Sequence, residues 1–220
     1  LERKEAMGVV SPHAGFMYSG IVAGAVYSRV KLPGTLILLG PNHTGYGAPA
    51  AIMAEGSWEM PFGAVEIDSA LAGRLLRLSP SLREDHSAHT MEHSLEVQLP
   101  FVQHFSTDFK IVPIVLMRMS LEECEKLGSS IAEAVREAGE KILIVASTDM
   151  THYESHEAAR EKDMKAIARI LALDHRGLYE TVTREGITMC GYIPATVMLA
   201  ACKKLGATKS LLVRYQTSGD

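Results

Sequence analysis

Four short stretches hold the side chains best suited to chemistry. Ser11-Pro12-His13-Ala14-Gly15 follows the apolar run Met7 to Val10, and Gly40-Pro41-Asn42-His43 follows Leu36 to Leu39. Ser147-Thr148-Asp149-Met150-Thr151-His152 follows Ile142 to Val145, and Thr188-Met189-Cys190-Gly191-Tyr192 precedes a helical pattern that begins near Pro194. Neutral imidazole is the commonest protein metal ligand and titrates near neutral pH. Two imidazoles with a third, anionic ligand and open positions suit a redox metal or zinc. Cys190 is the best source of that third ligand, because a thiolate gains from the partial positive charge of a helix N-terminus. A small, buried, inert cysteine is the other reading of Cys190, and it is the one assigned to Cys124 and Cys202. Asp149 and His152 suit a carboxylate that orients an imidazole, or an acid–base pair. Asp149 as the cap of the next helix is the alternative.

His89-Thr90-Met91-Glu92-His93 spells HxxEH, an inverted zinc-protease string in which two histidines share a helix face and glutamate is the base. Its context is poor, since Pro100 interrupts the same helical pattern and no third ligand is evident. His93 and Glu96 are instead expected to face the pocket as supporting groups, with Phe16, Tyr18, Trp58 and Tyr192 as candidate walls. There is no GxGxxG after the first strand and no Walker loop, and Ser11 and Ser147 lack the GxSxG elbow, which argues against a nucleotide site and a serine-hydrolase triad.

These residues need elements to position them. Strands are expected at Met7–Val10, Thr35–Leu39, Ala50–Ala54, Ile111–Leu116, Lys141–Ala146 and Ser210–Arg214, most of them short and rich in Val, Ile and Leu, as strands covered on both faces are. Helices are expected at Gly20–Val30, Asp68–Leu78, Glu92–Phe105, Leu121–Ala138, His156–Ala172 and Ile193–Leu205. Asp68 and Ser120 read as N-caps, with Glu123 completing a capping box, and Gly139 and Gly206 fall where C-caps belong. Alternating strands and helices imply one α/β domain over residues 1–220, a layered sandwich whose central sheet is mostly parallel or mixed and flanked by helices. In such sheets ligands gather at strand ends. Gly40 to Gly63 reads as a loop or hairpin excursion beside His43.

Composition sets broad limits. In 220 residues, 47% are hydrophobic and 22% charged, ordinary values for a globular chain able to bury roughly 70% of its unfolded surface. A net charge of −4 lacks the basic stripe of a nucleic-acid binder, and no apolar run reaches the roughly 20 residues that span a bilayer. Three cysteines form no disulfide framework and fit a reducing compartment, so the expected location is cytoplasmic.

Several segments together resemble the Memo family: Pro12-His13-Ala14-Gly15-Phe16 with Tyr18-Ser19-Gly20, Leu39-Gly40-Pro41-Asn42-His43, Glu92-His93-Ser94-Leu95-Glu96-Val97-Gln98-Leu99-Pro100-Phe101, Ser147 to Tyr153, and Met189-Cys190-Gly191. The resemblance implies a fold similar to the class III extradiol (LigB-like) dioxygenases, which use non-haem Fe(II), and short native segments missing at both ends. It implies His13, His43 and Cys190 as metal ligands, with Asp149 and His152 beside them. It also implies Fe(II) as the metal, with Cu or Zn as alternatives, and radical-SAM and AMMECR-type proteins as partners. The thiolate departs from the carboxylate that the dioxygenases use, so ring cleavage does not transfer on fold alone. The expectation is a metal-dependent redox or dioxygenase-like protein in which His152 is the acid–base group and Asp149 its orienter. The alternatives are a non-catalytic pocket for a peptide or small ligand, and a metal-dependent hydrolase.

Overall fold

The computed structural model describes residues 2–220. Its strands are β1 (Gly8–Ser11), β2 (Thr35–Pro41), β3 (Ala50–Ile52), β4 (Ser57–Trp58), β5 (Val65–Glu66), β6 (Arg83–Glu84), β7 (Lys110–Leu116) and β8 (Ile142–Ser147). Its helices are α1 (Phe16–Ser28), α2 (Ser69–Leu78), α3 (Leu99–Phe105), α4 (Leu121–Ala138), α5 (His156–Leu171), α6 (His175–Glu185) and α7 (Tyr192–Lys204).

Six strands form one mixed sheet in the order β1-β8-β2-β7-β3-β6, with β1, β8, β2 and β7 parallel and β3 antiparallel to β7. The long strands are apolar throughout because both of their faces are covered. Ile37, Leu39, Val112, Ile114, Ile142 and Ile144 pack under α2, α4, α6 and α7, while Leu36, Leu38, Val115, Leu143 and Val145 pack under α1 and α3. Burying each such side chain contributes about 1.5–3 kcal/mol, and the alternation along each strand assigns it to one layer or the other.

Register places the chemistry. Val10 and Leu39 both lie opposite Ala146, and Ser11 lies opposite Ser147, so β1, β8 and β2 end in step. The loops that leave these three adjacent strands carry His13, Asp149 and His43 to one edge.

Asp68 caps α2, and Ser120 with Glu123 forms a capping box on α4, which ends at Gly139 in the left-handed conformation. Other expectations are corrected. Ser210–Arg214 is not a strand: Leu211 and Leu212 are exposed, and the segment is tied by side chains instead, with the Ser210 hydroxyl donating to the Leu171 carbonyl and Tyr215 Oη donating to Asp163. The helix expected over Glu92–Phe105 is helical only from a short 3₁₀ turn at Glu96–Gln98 into α3. Glu92 and Ser94 bond to the end of β2 rather than to a helix, and Pro100 sits in the first turn of α3, where a missing N–H costs nothing. Helix α6 was not expected, although Asp174 caps its start and Gly186, with φ +59°, ends it. Among the described residues no helix is long and apolar enough to cross a membrane.

Candidate functional site

The edge where β1, β8 and β2 end is polar because its loops are tied to one another. Asp149 does not cap α5, a role taken by Ser155. Its Oδ1 accepts from the backbone N–H groups of His13 (2.8 Å) and Ala14 (3.1 Å), which locks the first loop onto the third. The Asp149 N–H points at Cys190 Sγ, 3.3 Å away, and the Gly191 N–H donates to Thr148 Oγ1 at 2.8 Å. Gly191 permits this approach, since a Cβ there would lie 2.3 Å from the Ser147 carbonyl oxygen. Cys190 immediately precedes the N-terminal turn of α7.

One ligand atom each from His13, His43 and Cys190 lie within 4.8 Å of one another. The hydrogen-bond network decides which imidazole nitrogens face inward. Tyr27 Oη donates to Gln98 Oε1 (2.9 Å), so the Gln98 amide nitrogen points the other way and donates to Ser147 Oγ (2.8 Å) and the Pro12 carbonyl (2.9 Å). Ser147 gives its own proton to the Ser94 carbonyl (2.6 Å) and must therefore accept from His13 Nδ1–H (2.8 Å). His13 Nε2 is thereby turned toward Cys190 Sγ, 3.3 Å away. His43 is fixed in the same sense, with Nδ1 2.9 Å from Glu92 Oε1 and its backbone N–H 2.5 Å from Glu92 Oε2. Both imidazoles thus bond outward through Nδ1 and offer Nε2 inward, the arrangement that orients metal-ligating histidines.

Electrostatics follow from that geometry. Burial pushes the Cys190 thiol up, but the His13 and His43 rings and the Asp149 N–H outweigh it and bring the pKa down to about 6. The Cys190 sulfur and the Glu92 carboxylate raise His43 to about 10, against burial. Burial likewise pushes Glu92 up, yet bonds from the His43 side chain and from the His43 and Ser94 N–H groups hold it at about 2. In the metal-free protein the cluster is therefore a thiolate and a carboxylate around an imidazolium.

The other expected residues divide. A ring nitrogen of His152 lies within 4.8 Å of the Asp149 carboxylate and Cys190 Sγ. Its orienting partner is not Asp149 but Thr188, whose carbonyl bonds Nδ1 at 2.9 Å and whose hydroxyl accepts the His152 N–H at 2.7 Å. His93 is half exposed and stacks on His43 at 5.1 Å. Tyr18 is exposed and lines a cavity of about 1230 Å³ together with Asp149, His152 and Tyr153. Trp58 and Glu96 line another pocket together with His89 and with Glu92, whose carboxylate bonds His43. His89 and His93 share no helix face, because the chain from 89 to 95 is turn rather than helix, which removes the structural context of HxxEH. Glu92, Ser147, Gln98 and Tyr27 were not singled out for this site. Glu92 carried a signal as the acid of that string, and Glu92, Gln98 and Ser147 lie in segments that resemble the Memo family, whereas Tyr27 lies in none of them.

Comparison with known proteins agrees with this architecture. A family model described as Memo-like protein matches residues 2–220. A MEMO1 family protein of Methanothermobacter thermautotrophicus is 44% identical over 216 residues, covering 97% of this chain and 78% of the relative. One from Pyrobaculum aerophilum is 45% identical over 219 residues, covering 98% and 78%. The crystal structure of an uncharacterized protein, JW3007, from Escherichia coli K12 superposes with a TM-score of 0.58 at 17% identity, over 83% of this chain and 81% of that one, which speaks to the fold alone. The chain belongs to the Memo-like protein family.

Proposed function

We propose that His13, His43 and Cys190 bind a redox-capable transition metal, Fe(II) in the first instance and Cu in the second, and that the protein is a dioxygenase-like oxidoreductase. The observation that carries this reading is the convergence of two inward-facing Nε2 atoms and one sulfur within 4.8 Å. The donor set fits such an ion: two imidazoles and a thiolate are borderline-to-soft ligands that suit Fe, Cu or Zn, and three protein ligands leave positions open. When bound, the metal would supply one-electron chemistry and a site for dioxygen or substrate.

The chain's own residues supply the rest. Glu92 and Ser147 hold the two imidazoles through Nδ1. Asp149 fixes the His13 loop by its two N–H bonds. His152, anchored at Nδ1, keeps Nε2 for moving a proton to or from a substrate in the adjoining cavity.

Metal analysis of protein purified under anaerobic conditions, beside Cys190→Ala, tests the ligand set. One iron or copper per chain is expected, with at least about tenfold weaker retention in the variant. Equal metal content in the variant would remove Cys190 from the set. Zinc alone, with hydrolytic turnover that survives strict anaerobiosis, would replace the redox reading by a hydrolase.

A further inference from the structure

The loop that leaves β8 is pinned along its backbone. The Asp149 N–H points at Cys190 Sγ (3.3 Å), the Thr151 N–H donates to Asp163 Oδ1 (2.9 Å), and the His152 N–H donates to Thr188 Oγ1 (2.7 Å). Asp163 is a fixed post for this loop. It is buried on α5, and its other oxygen accepts from Tyr215 Oη at 2.8 Å.

Tyr153 follows these pins and has φ +61°, in the left-handed region where a Cβ crowds the following carbonyl oxygen and glycine or asparagine fits better. Leu173 shares that conformation at φ +54°, but its side chain packs against the core, which offsets the strain. Tyr153 has no such compensation. Its side chain is fully exposed (102%), it makes no side-chain hydrogen bond among the described residues, and its nearest ring is that of His152, 5.9 Å away and tilted. Nothing in the fold rewards a tyrosine here. Strain held without a packing gain is concentrated where a ligand is clamped.

The position of the ring says which ligand it meets. Tyr153 lines the cavity of about 1230 Å³ together with Tyr18, Asp149 and His152. His152 in turn places a ring nitrogen within 4.8 Å of Cys190 Sγ. The phenol ring therefore stands one residue beyond the imidazole nearest the sulfur, on the cavity side.

We propose that Tyr153 is a substrate-contacting residue whose ring packs on an apolar, non-reacting part of the substrate while the reacting atoms lie at the His13, His43 and Cys190 cluster. The inference rests on the reading of that cluster as a reaction centre. It makes the substrate an organic molecule with an apolar group beside its reacting atoms. Burying that group between Tyr153 and the cavity wall also repays the backbone strain, since the contact that the folded chain lacks is then made by the ligand.

Alkylation of Cys190 in chelator-treated protein tests this without a known substrate. Iodoacetamide and N-benzyliodoacetamide carry the same reacting group, and only the second carries an apolar ring. Cys124 and Cys202 are buried and pushed up to about 12, and mass spectrometry assigns the label to Cys190. The benzyl reagent is expected to saturate and to react faster than the parent reagent. Tyr153→Asn suits the left-handed backbone and lacks the ring, so it should lower the benzyl-to-parent rate ratio about two- to tenfold, the worth of one aromatic contact, while Tyr153→Phe keeps the ratio. The thermal midpoint of Tyr153→Asn should rise and its metal content should match the wild type. An equal ratio in wild type and Tyr153→Asn, no saturation by the benzyl reagent, or no label on Cys190 from either reagent would overturn the proposal. A lower midpoint or lost metal in Tyr153→Asn would overturn it too, by giving the tyrosine a structural role. Metal content of the wild type is measured on untreated protein, so a failure of ring selection and a failure of the metal reading are told apart.

Discussion

Glu92 gives both carboxylate oxygens to a single residue: Oε1 bonds the Nδ1 of His43 at 2.9 Å and Oε2 its backbone N–H at 2.5 Å, across 49 positions of sequence. Oε1 also accepts the Ser94 N–H, so the same carboxylate that aims the imidazole fixes the turn that carries it. Glu92→Gln leaves one acceptor where two are used and places an amide N–H against a donor. Metal affinity is expected to fall about 10- to 100-fold, the usual effect of removing a group that orients a ligand. Titration against a competing chelator measures it, and an unchanged affinity would show that His43 needs no such support.

The same bond predicts an acid dependence of the metal-free protein. The Glu92 pKa is lowered from 4.5 to about 2 in the folded state, so its contribution is present above 4.5 and is lost as the pH falls toward 2. The thermal midpoint of the metal-free wild type should drop across that window more steeply than that of Glu92→Gln. Parallel curves for the two proteins would dissociate the carboxylate from acid stability.

Cys190 should behave as a thiolate at neutral pH. With its pKa at about 6 against an ordinary 9.0, alkylation by iodoacetamide in metal-free protein should rise with a midpoint near 6. His43→Gln removes one of the two imidazoles that favour the thiolate and should move the midpoint upward. Cys124 and Cys202 are buried and pushed up to about 12 by that burial, so they contribute little to the rate. A wild-type midpoint above 8 would contradict the electrostatic picture.

Tyr27, Gln98 and Ser147 form a buried relay that ends on His13. Gln98→Leu leaves the Tyr27 hydroxyl without its acceptor and removes one donor to Ser147, at a cost of about 1–3 kcal/mol for a buried group left unpaired. Denaturant unfolding of metal-free protein measures it. If the relay also positions His13, metal affinity falls in the same variant, and a loss of stability without a loss of affinity would confine the relay to folding.

A Cβ at Gly191 would lie 2.3 Å from a backbone oxygen and 2.4 Å from the Thr148 side chain, so Gly191→Ala must push the Cys190 segment away from β8. Lower stability and loss of the metal are expected together, the first by about 1–3 kcal/mol as in other overpacked sites. Calorimetry and metal analysis on one preparation check both, and a variant that keeps its metal would show that the 188–192 loop can shift without moving the sulfur.

Local chemistry was legible where a residue type has a short-range physical preference. Asp68 and Ser120 cap helices because their side chains reach N–H groups three residues on. Val-, Ile- and Leu-rich runs become strands because both faces are covered. Ser210–Arg214 has a similar apolar run but pairs with no described strand, and side-chain ties to α5 and its C-terminal end hold it instead. Glu92 to Leu95 shows the opposite failure: its helical pattern yields to four long-range bonds to the end of β2 and to β8.

The candidate site divides along the same line. Sequence alone determined that His13, His43, Asp149 and Cys190 stand at strand ends or a helix start, because apolar runs, Pro and Gly bound those elements locally. It could not determine that β1, β8 and β2 are adjacent and end in register, because strand order depends on how the helices cover the sheet. That adjacency brings His13 and His43 together, the close approach of Gly191 to Thr148 adds Cys190 so that the three donor atoms lie within 4.8 Å, and Glu92 and Ser147, distant in sequence, bond the Nδ1 of the two imidazoles. Tertiary packing likewise brings Trp58, on β4, to one pocket with His89, Glu92 and Glu96.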